Sequence, residues 1–152
     1  MAEVAEESTH IWSSKQRTAL FLTAMRHFAL RLHELARPLL YTRLDDTDNL
    51  GSLAAVLRRT LQTHKPQALI VTEPGDLRVR TALEQVAKDC QVPIQVRTDR
   101  HFYSTASEFA AHAAGRKQLR LEFFYRELRQ KTGILMDGKK PLGGQWNYDE
   151  DN

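Results

Sequence analysis

The chain has 152 residues, of which 41% are hydrophobic and 27% charged, and this balance is typical of a soluble globular domain. Lysine and arginine exceed aspartate and glutamate by only three, 22 against 19, so net charge alone neither requires nor excludes a nucleic-acid partner. No apolar run approaches the roughly 20 residues that span a bilayer, and the first residues are acidic, so we expect a cytoplasmic protein without a membrane partner. The single cysteine, Cys90, excludes an internal disulfide and a cysteine-rich metal site built by this chain alone.

The first third of the chain predicts a long helix flanked by two extended segments. Ala2 to Val4 resembles the end of a strand, with Glu6 and Glu7 in the loop after it. Apolar residues then recur at helical spacing from Lys15 to about Leu35, which predicts an amphipathic helix with this stripe facing the core. The stripe comprises Leu20, Ala24, Phe28, Leu32 and Leu35, and it is widened by Phe21 and Met25. Pro38 ends the helix, and Leu39 to Leu44 is predicted as a strand.

The middle third alternates helix and strand. Ser52 is placed to cap a helix that reaches about His64, and Gln67 to Thr72 is a predicted buried strand. Pro74, Gly75 and Asp76 turn the chain into a further helix ending near Cys90, and Val92 to Arg97 is a short strand. This alternation predicts an α/β fold over residues 1–100, namely a three-layer Rossmann or flavodoxin-like parallel sheet with flanking helices.

After Asp99 the pattern becomes helical. Thr105 and Glu108 have the spacing of a capping box, and a second helix is predicted from about Lys117 to Lys131, with Gly133 ending it. The residues that follow are polar and glycine-rich. Residues 101–152 are therefore predicted as a helical segment with an irregular tail.

Candidate ligand residues lie where the predicted parallel strands end, because ligands of such sheets bind at the carboxyl ends of the strands. Glu73 could accept hydrogen bonds and Gly75 could let a ligand approach the backbone, which suits a small polar heterocycle. Pro-Gly-Asp is also an ordinary turn before a helix, so both interpretations stay open. The aspartates at 45, 46 and 48 lack the spacing of an EF-hand, and no metal site is predicted.

The stretch from Gly115 to Lys131 is basic and aromatic. Arg116, Lys117 and Arg120 are candidates for contact with nucleic-acid phosphates, whereas the alternative is a solvated basic face or one that pairs with another domain. HExxH, nucleophile-elbow, Walker and Rossmann glycine motifs are absent from the sequence, so it gives no support for a self-contained hydrolase or kinase.

Four stretches together resemble one family: MAEVAEES, KQRTALFLTAMRHFA, VTEPGDLRV and AAGRKQLRLEFFYRELRQKTGILMDGKKPLGGQWNYD. They are similar to the deoxyribodipyrimidine photolyase-related proteins, the bacterial iron-sulfur cryptochromes and photolyases. The resemblance implies a light-driven flavoprotein for DNA repair or blue-light signalling. Its N-terminal antenna domain would hold 6,7-dimethyl-8-ribityllumazine, and its helical C-terminal domain would hold FAD and the iron-sulfur cluster.

Measured against that family, we expect this chain to be the N-terminal portion, with residues 1–100 as an antenna domain that lacks its first strand. Residues 101–152 would then be an interdomain segment, and the catalytic FAD and iron-sulfur domain would be absent, so the chain would not be an enzyme on its own. The matching positions for lumazine are Glu7, Glu73, Gly75 and Asp76. The expected partners are DNA through the basic helix, the C-terminal photolyase domain and, through exposed edges, a second copy. The alternative is a stand-alone flavodoxin-like module that binds a small ligand or a protein without photochemistry.

Overall fold

The computed structural model describes residues 1–149 and divides the chain into two compact units, Met1–Arg97 and a second that begins at Thr98. The first unit contains α1 (Ala5–Thr9), α2 (Lys15–Glu34), α3 (Leu53–His64), β1 (Leu69–Thr72), α4 (Leu77–Asp89) and β2 (Ile94–Arg97). The second contains α5 (Ala106–Ala113), α6 (Leu121–Thr132), β3 (Met136–Asp137) and β4 (Lys140–Pro141). None of the helices within residues 1–149 is both long and apolar enough to cross a membrane.

The first unit has a small parallel sheet. Strands β1 and β2 pair in parallel, from Leu69 opposite Ile94 to Thr72 opposite Arg97, and α4 connects them. The predicted parallel pairing is therefore confirmed, but the prediction that the first of these strands is buried is wrong, since β1 has no buried residue and Ile70 is 53% exposed. Within the part of the chain that the structure describes, the regular parallel sheet has these two strands, and the three-layer arrangement stays a prediction.

Helices α3 and α4 pack against each other and form the main apolar core of the first unit. Val56 and Leu61 of α3 and Val86 and Ala87 of α4 are buried. The predicted cap of α3 is confirmed, because the Ser52 hydroxyl accepts a hydrogen bond of 3.2 Å from the Ala55 amide.

Two predictions near the N-terminus are wrong. Glu6 and Glu7 lie in the first turn of the short helix α1, where negative charge is favourable, and not in a loop. The predicted strand Leu39–Leu44 is reduced to one parallel bridge between Ala2 and Thr42. Two backbone hydrogen bonds form this bridge, from the Glu3 amide to the Thr42 carbonyl and from the Thr42 amide to the Met1 carbonyl. Side chains satisfy further backbone groups, since the Leu44 amide donates to the Glu3 carboxylate and the Asn49 amide group donates to the carbonyls of Glu3 and Arg43.

The carboxylate of Glu3 is completely buried and fully bonded. The Arg26 guanidinium donates to both of its oxygens at 2.8 Å, the Tyr41 hydroxyl donates to one of them, and the Leu44 amide donates at 2.9 Å. The Arg26 hydrogen bonds lower the pKa of Glu3 from 4.5 to about 2 despite its burial. Burial, with the hydrogen bond to Glu3, raises the pKa of Tyr41 to about 12.

This network also sets which face of α2 is buried. With Arg26 turned toward Glu3, the inward residues of α2 are Leu22, Met25, Ala29 and Leu32. Most of the predicted stripe faces outward instead: the residues Leu20, Phe28 and Leu35 are 70%, 56% and 52% exposed. The helix is predicted correctly in its extent, but its orientation is wrong because the sequence offers two apolar faces.

In the second unit, the capping box is confirmed. Thr105 accepts from the Glu108 amide, and the Glu108 carboxylate accepts from the Thr105 amide. The core joins α5 to α6 through Phe109, His112 and Phe124, whose rings lie 5.0 to 6.3 Å apart.

Helix α6 begins at Leu121, four residues later than predicted, because the preceding basic residues are engaged in other ways or extended. Arg116 donates to the His112 carbonyl and pairs with Glu127 at 3.1 Å, and the backbone of Arg120 is extended. Gly133 ends the helix in the left-handed region at φ 72°, as predicted. The tail, predicted as turns, contains the short antiparallel hairpin of β3 and β4.

We expect Glu3→Gln to lower the free energy of unfolding by about 3 kcal/mol at pH 7, because it removes the charge that a buried set of donors requires. Urea unfolding followed by circular dichroism measures this change. The matched control is Glu34→Gln on α2, whose ion pair with Arg31 is more than 60% exposed on both sides, and which should cost less than about 0.5 kcal/mol. Equal effects of the two substitutions would contradict the role assigned to Glu3.

The stability difference between wild type and Glu3→Gln should depend on pH. The folded pKa of Glu3 is depressed from 4.5 to about 2, so its contribution is full above pH 4.5 and is lost as the pH falls toward 2. The difference should shrink from about 3 kcal/mol at pH 7 to about 1.4 kcal/mol at pH 3. Parallel urea titrations at pH 7, 5, 4 and 3 test this, and a difference that stays constant would rule out the depressed pKa.

Candidate functional site

A cleft of about 510 Å³ lies in the first unit, bounded by the segment that contains α1, by the N-terminal half of α2 and by the start of α4. One wall is apolar and is formed by Phe21, Leu22, Met25 and Leu53. The rim of the cleft is polar. The rim residues are Glu7, Ser8, His10, Arg17, Asp76 and Arg78.

Two of the four predicted ligand residues, Glu7 and Asp76, come together at this rim, and Arg78 joins them. The Arg78 guanidinium donates to both Glu7 oxygens at 2.9 and 3.0 Å and lies 3.3 Å from the Asp76 carboxylate. Its Nε is buried and has no hydrogen-bond partner among the described residues. The rim thus holds two carboxylate acceptors around one guanidinium, whose unsatisfied Nε is itself buried.

Asp76 is held by the start of α4. Its carboxylate accepts a 2.8 Å hydrogen bond from the Arg78 amide and so caps the helix, as Pro-Gly-Asp before a helix predicted. This backbone hydrogen bond is the main reason why the pKa of Asp76 lies below its ordinary value, with the nearby Arg78 charge adding to the effect. Asp76 is therefore an ionised acceptor at neutral pH.

The other two predicted residues, Glu73 and Gly75, do not line the cleft. Glu73 pairs with Arg80 at 2.9 Å, and Arg80 also pairs with Glu84 one turn further along α4. Gly75 has no positive φ, and a Cβ at this position would meet no atom within 4 Å. The backbone here is open to solvent and does not require glycine.

Sequence reasoning missed Arg78 and Arg17. Arg78 is the second residue of α4, so the helix start that identified Asp76 could also have pointed to the side chain two positions on. Arg17 lies one turn before Phe21 and stacks on its ring at 5.6 Å. Its position on the cleft depends on how α2 is turned, which local sequence does not reveal.

The aspartates after the 39–44 segment are engaged by arginines. Asp45 pairs with Arg26 and Arg43, and Asp48 pairs with Arg59. Among residues 1–149 no group of three histidine, cysteine or acidic side chains has the geometry to hold a metal ion.

The predicted nucleic-acid residues lie in the second unit, in the segment between α5 and α6 and not on the helix itself. All three are exposed. Arg116 is engaged with Glu127, whereas Lys117 and Arg120 form no ion pair with the described residues. Within residues 1–149, the structure thus separates one paired arginine from two cations that form no ion pair.

Comparison with known proteins covers the whole chain. A family model described as deoxyribodipyrimidine photo-lyase-related protein matches residues 1–152. The chain is also 42% identical, over all 152 residues, to a (6-4) photolyase of Agrobacterium fabrum (strain C58 / ATCC 33970) and spans 30% of that protein's length. The chain therefore belongs to the deoxyribodipyrimidine photolyase-related protein family.

Proposed function

We propose that this chain is the antenna-chromophore-binding, N-terminal portion of a photolyase-related protein that serves light-dependent DNA repair or blue-light signalling. The observation that carries the proposal is the cleft at which Glu7, Asp76 and Arg78 converge and which also has an apolar wall. The family match and the photolyase relative support the wider context. The name of that relative favours a (6-4) photoproduct as the lesion for the longer protein.

The chemistry of the cleft fits 6,7-dimethyl-8-ribityllumazine. The cleft has a volume of about 510 Å³. This suits a small ligand, since small-molecule sites are commonly about 300–1,000 Å³ and mostly apolar, with a few precisely placed polar groups. Phe21, Leu22 and Met25 would contact the rings, whereas Asp76 would accept hydrogen bonds from ribityl hydroxyls and Arg78 would donate to ring carbonyls. When bound, the lumazine would supply absorption of blue light for transfer to a second chromophore. FAD and the iron-sulfur cluster belong, in this proposal, to a C-terminal domain as partner.

The finer description of the fold is part of the same proposal. Two parallel pairings support a Rossmann or flavodoxin-like sheet in three layers, the β1–β2 ladder and the bridge between Ala2 and Thr42. A cytoplasmic location accords with the function proposed, because both DNA and a flavin-bearing domain would be reached there.

We expect the purified chain to bind ribityllumazine saturably, and Asp76→Asn to raise the Kd about tenfold, since a hydrogen bond to a charged group is lost. Asparagine keeps the helix cap, so folding should be preserved. Absorption and fluorescence titration measures both. The control is Glu84→Gln, which removes a carboxylate of α4 that is outside the cleft. A folded chain that binds no lumazine would refute the antenna function.

Glu73 and Gly75 stay predicted ligand positions that the same titration can test. Glu73 is bonded to Arg80 and does not line the cleft, so Glu73→Gln should change the Kd less than twofold if the site is confined to the cleft. A change as large as that of Asp76→Asn would extend the site toward the end of β1.

A second candidate function, DNA contact, is supported by the free cations of the second unit. Lys117 and Arg120 lie three residues apart in an exposed segment and have no acidic partner among residues 1–149. Two such side chains suit phosphate contact, which positions a protein on DNA without reading its sequence.

We expect the double substitution Lys117→Gln and Arg120→Gln to make the negative slope of log K against log salt shallower by about two, one for each phosphate contact that is lost. Fluorescence anisotropy with a duplex, across a series of sodium chloride concentrations, measures this slope. The matched control is Lys15→Gln with Arg37→Gln, which removes the same charge from the first unit. If the two double substitutions make the slope shallower by the same amount, the effect comes from net charge alone and not from a DNA contact of Lys117 and Arg120.

A further inference from the structure

The segment that bounds the cleft on one side, residues 5–13, is weakly anchored. Helix α1 buries none of its residues and has no side-chain cap at Val4, and the loop after it exposes Ile11 and Trp12 by 71% and 90%. Such segments, with few buried apolar contacts, open at low energetic cost. We call residues 5–13 the lid segment.

Both ends of the lid segment are firmly held. Val4 is buried beside the bonded Glu3, and Ser14 caps α2 by accepting from the Arg17 amide at 3.2 Å. Motion of the lid segment is therefore confined between two fixed points, as in a flap. Four of its residues line the cleft: Glu7, Ser8, His10 and Ile11, with Ser13 at its end as a fifth.

Two polar contacts join the lid segment to the rest of the first unit, within the residues that the structure describes. The Glu6 amide donates to the Gly51 carbonyl at 3.0 Å, and the Glu7 carboxylate accepts at both oxygens from one nitrogen of Arg78, Nη2. The Glu7 side chain is 38% exposed and that of Arg78 is 30% exposed. An ion pair that water reaches to this degree is weak and is screened by salt.

We propose that residues 5–13 form a lid over the cleft and that the Glu7–Arg78 ion pair is the latch that holds this lid closed. The inference rests on the proposed function, since a lid matters only if the cleft takes a ligand. It assigns Glu7 the control of ligand entry and exit, and it leaves ligand contact to Asp76 and to the apolar wall.

The latch is tested first without any ligand, by hydrogen–deuterium exchange of the free chain measured by mass spectrometry. Glu7→Gln should accelerate exchange in residues 6–13 about two- to fivefold, the range expected for loss of a weak ion pair. In wild type, sodium chloride at 1 M should raise the exchange rates of residues 6–13 close to those of Glu7→Gln, because salt screens the ion pair. Arg78→Lys, which keeps the positive charge but shortens the side chain that brings Nη2 to Glu7, should give a smaller increase. Glu84→Gln, the control, should leave this segment unchanged. Unaltered exchange in Glu7→Gln would overturn the latch.

The second arm uses stopped-flow fluorescence with ribityllumazine. A latch predicts that Glu7→Gln raises the association and dissociation rate constants by similar factors and changes the Kd less than twofold. A raised Kd with an unchanged association rate would show that Glu7 contacts the ligand and would overturn the assignment. If wild type binds no lumazine, the proposed function fails, whereas the exchange measurement still decides whether residues 5–13 open through the latch.

Discussion

A buried carboxylate is the constraint on which the first unit depends. Glu3 is surrounded by donors from three parts of the chain, namely the Arg26 guanidinium, the Tyr41 hydroxyl and the Leu44 amide. A charge in such a place is stable only if every lone pair is satisfied, because its hydration has been lost. The network therefore tolerates one arrangement of α2 and of the 41–44 segment, and it holds these elements where regular strand pairing is sparse.

The same network shapes the candidate site. With Arg26 fixed on Glu3, the residues of α2 that share its face, Leu22, Met25 and Ala29, turn inward, and Leu22 and Met25 line the cleft. Phe21, although 58% exposed, reaches the mouth of the cleft from the adjoining edge of the helix. A rotation of α2 toward the stripe of Leu20 and Phe28 would remove this apolar wall. Core electrostatics and ligand chemistry are thus coupled through the orientation of one helix.

How much of this could be predicted from the sequence depends on the range of the interactions involved. The Thr105–Glu108 capping box, the Asp76 cap and the Gly133 stop are local and are predicted correctly. The buried face of α2 is not predictable in this way, since Glu3 and Arg26 are 23 residues apart and either apolar face suits a helix. The predicted start of α6 is wrong for a similar reason: Arg116 pairs with Glu127, 11 residues away, and the chain bends at 117–118 before the helix begins at Leu121.

The candidate site shows a related limit, because the sequence reveals which carboxylates exist but not which arginine each of them meets. Glu7, Glu73 and Asp76 are chemically alike in the sequence, and three different environments separate them. Glu73 is bonded to Arg80, away from the cleft. Asp76 caps α4, and this hydrogen bond orients its carboxylate and keeps it ionised. Glu7 lies on a weakly held helix and pairs with Arg78, which is 71 residues away in the chain.

An acceptor on a rigid helix start suits a fixed ligand contact, whereas an acceptor on a segment without buried residues suits a contact that breaks and re-forms. The different roles proposed for Asp76, a ligand contact, and for Glu7, the latch of the lid, thus follow from the rigidity of the elements that carry them.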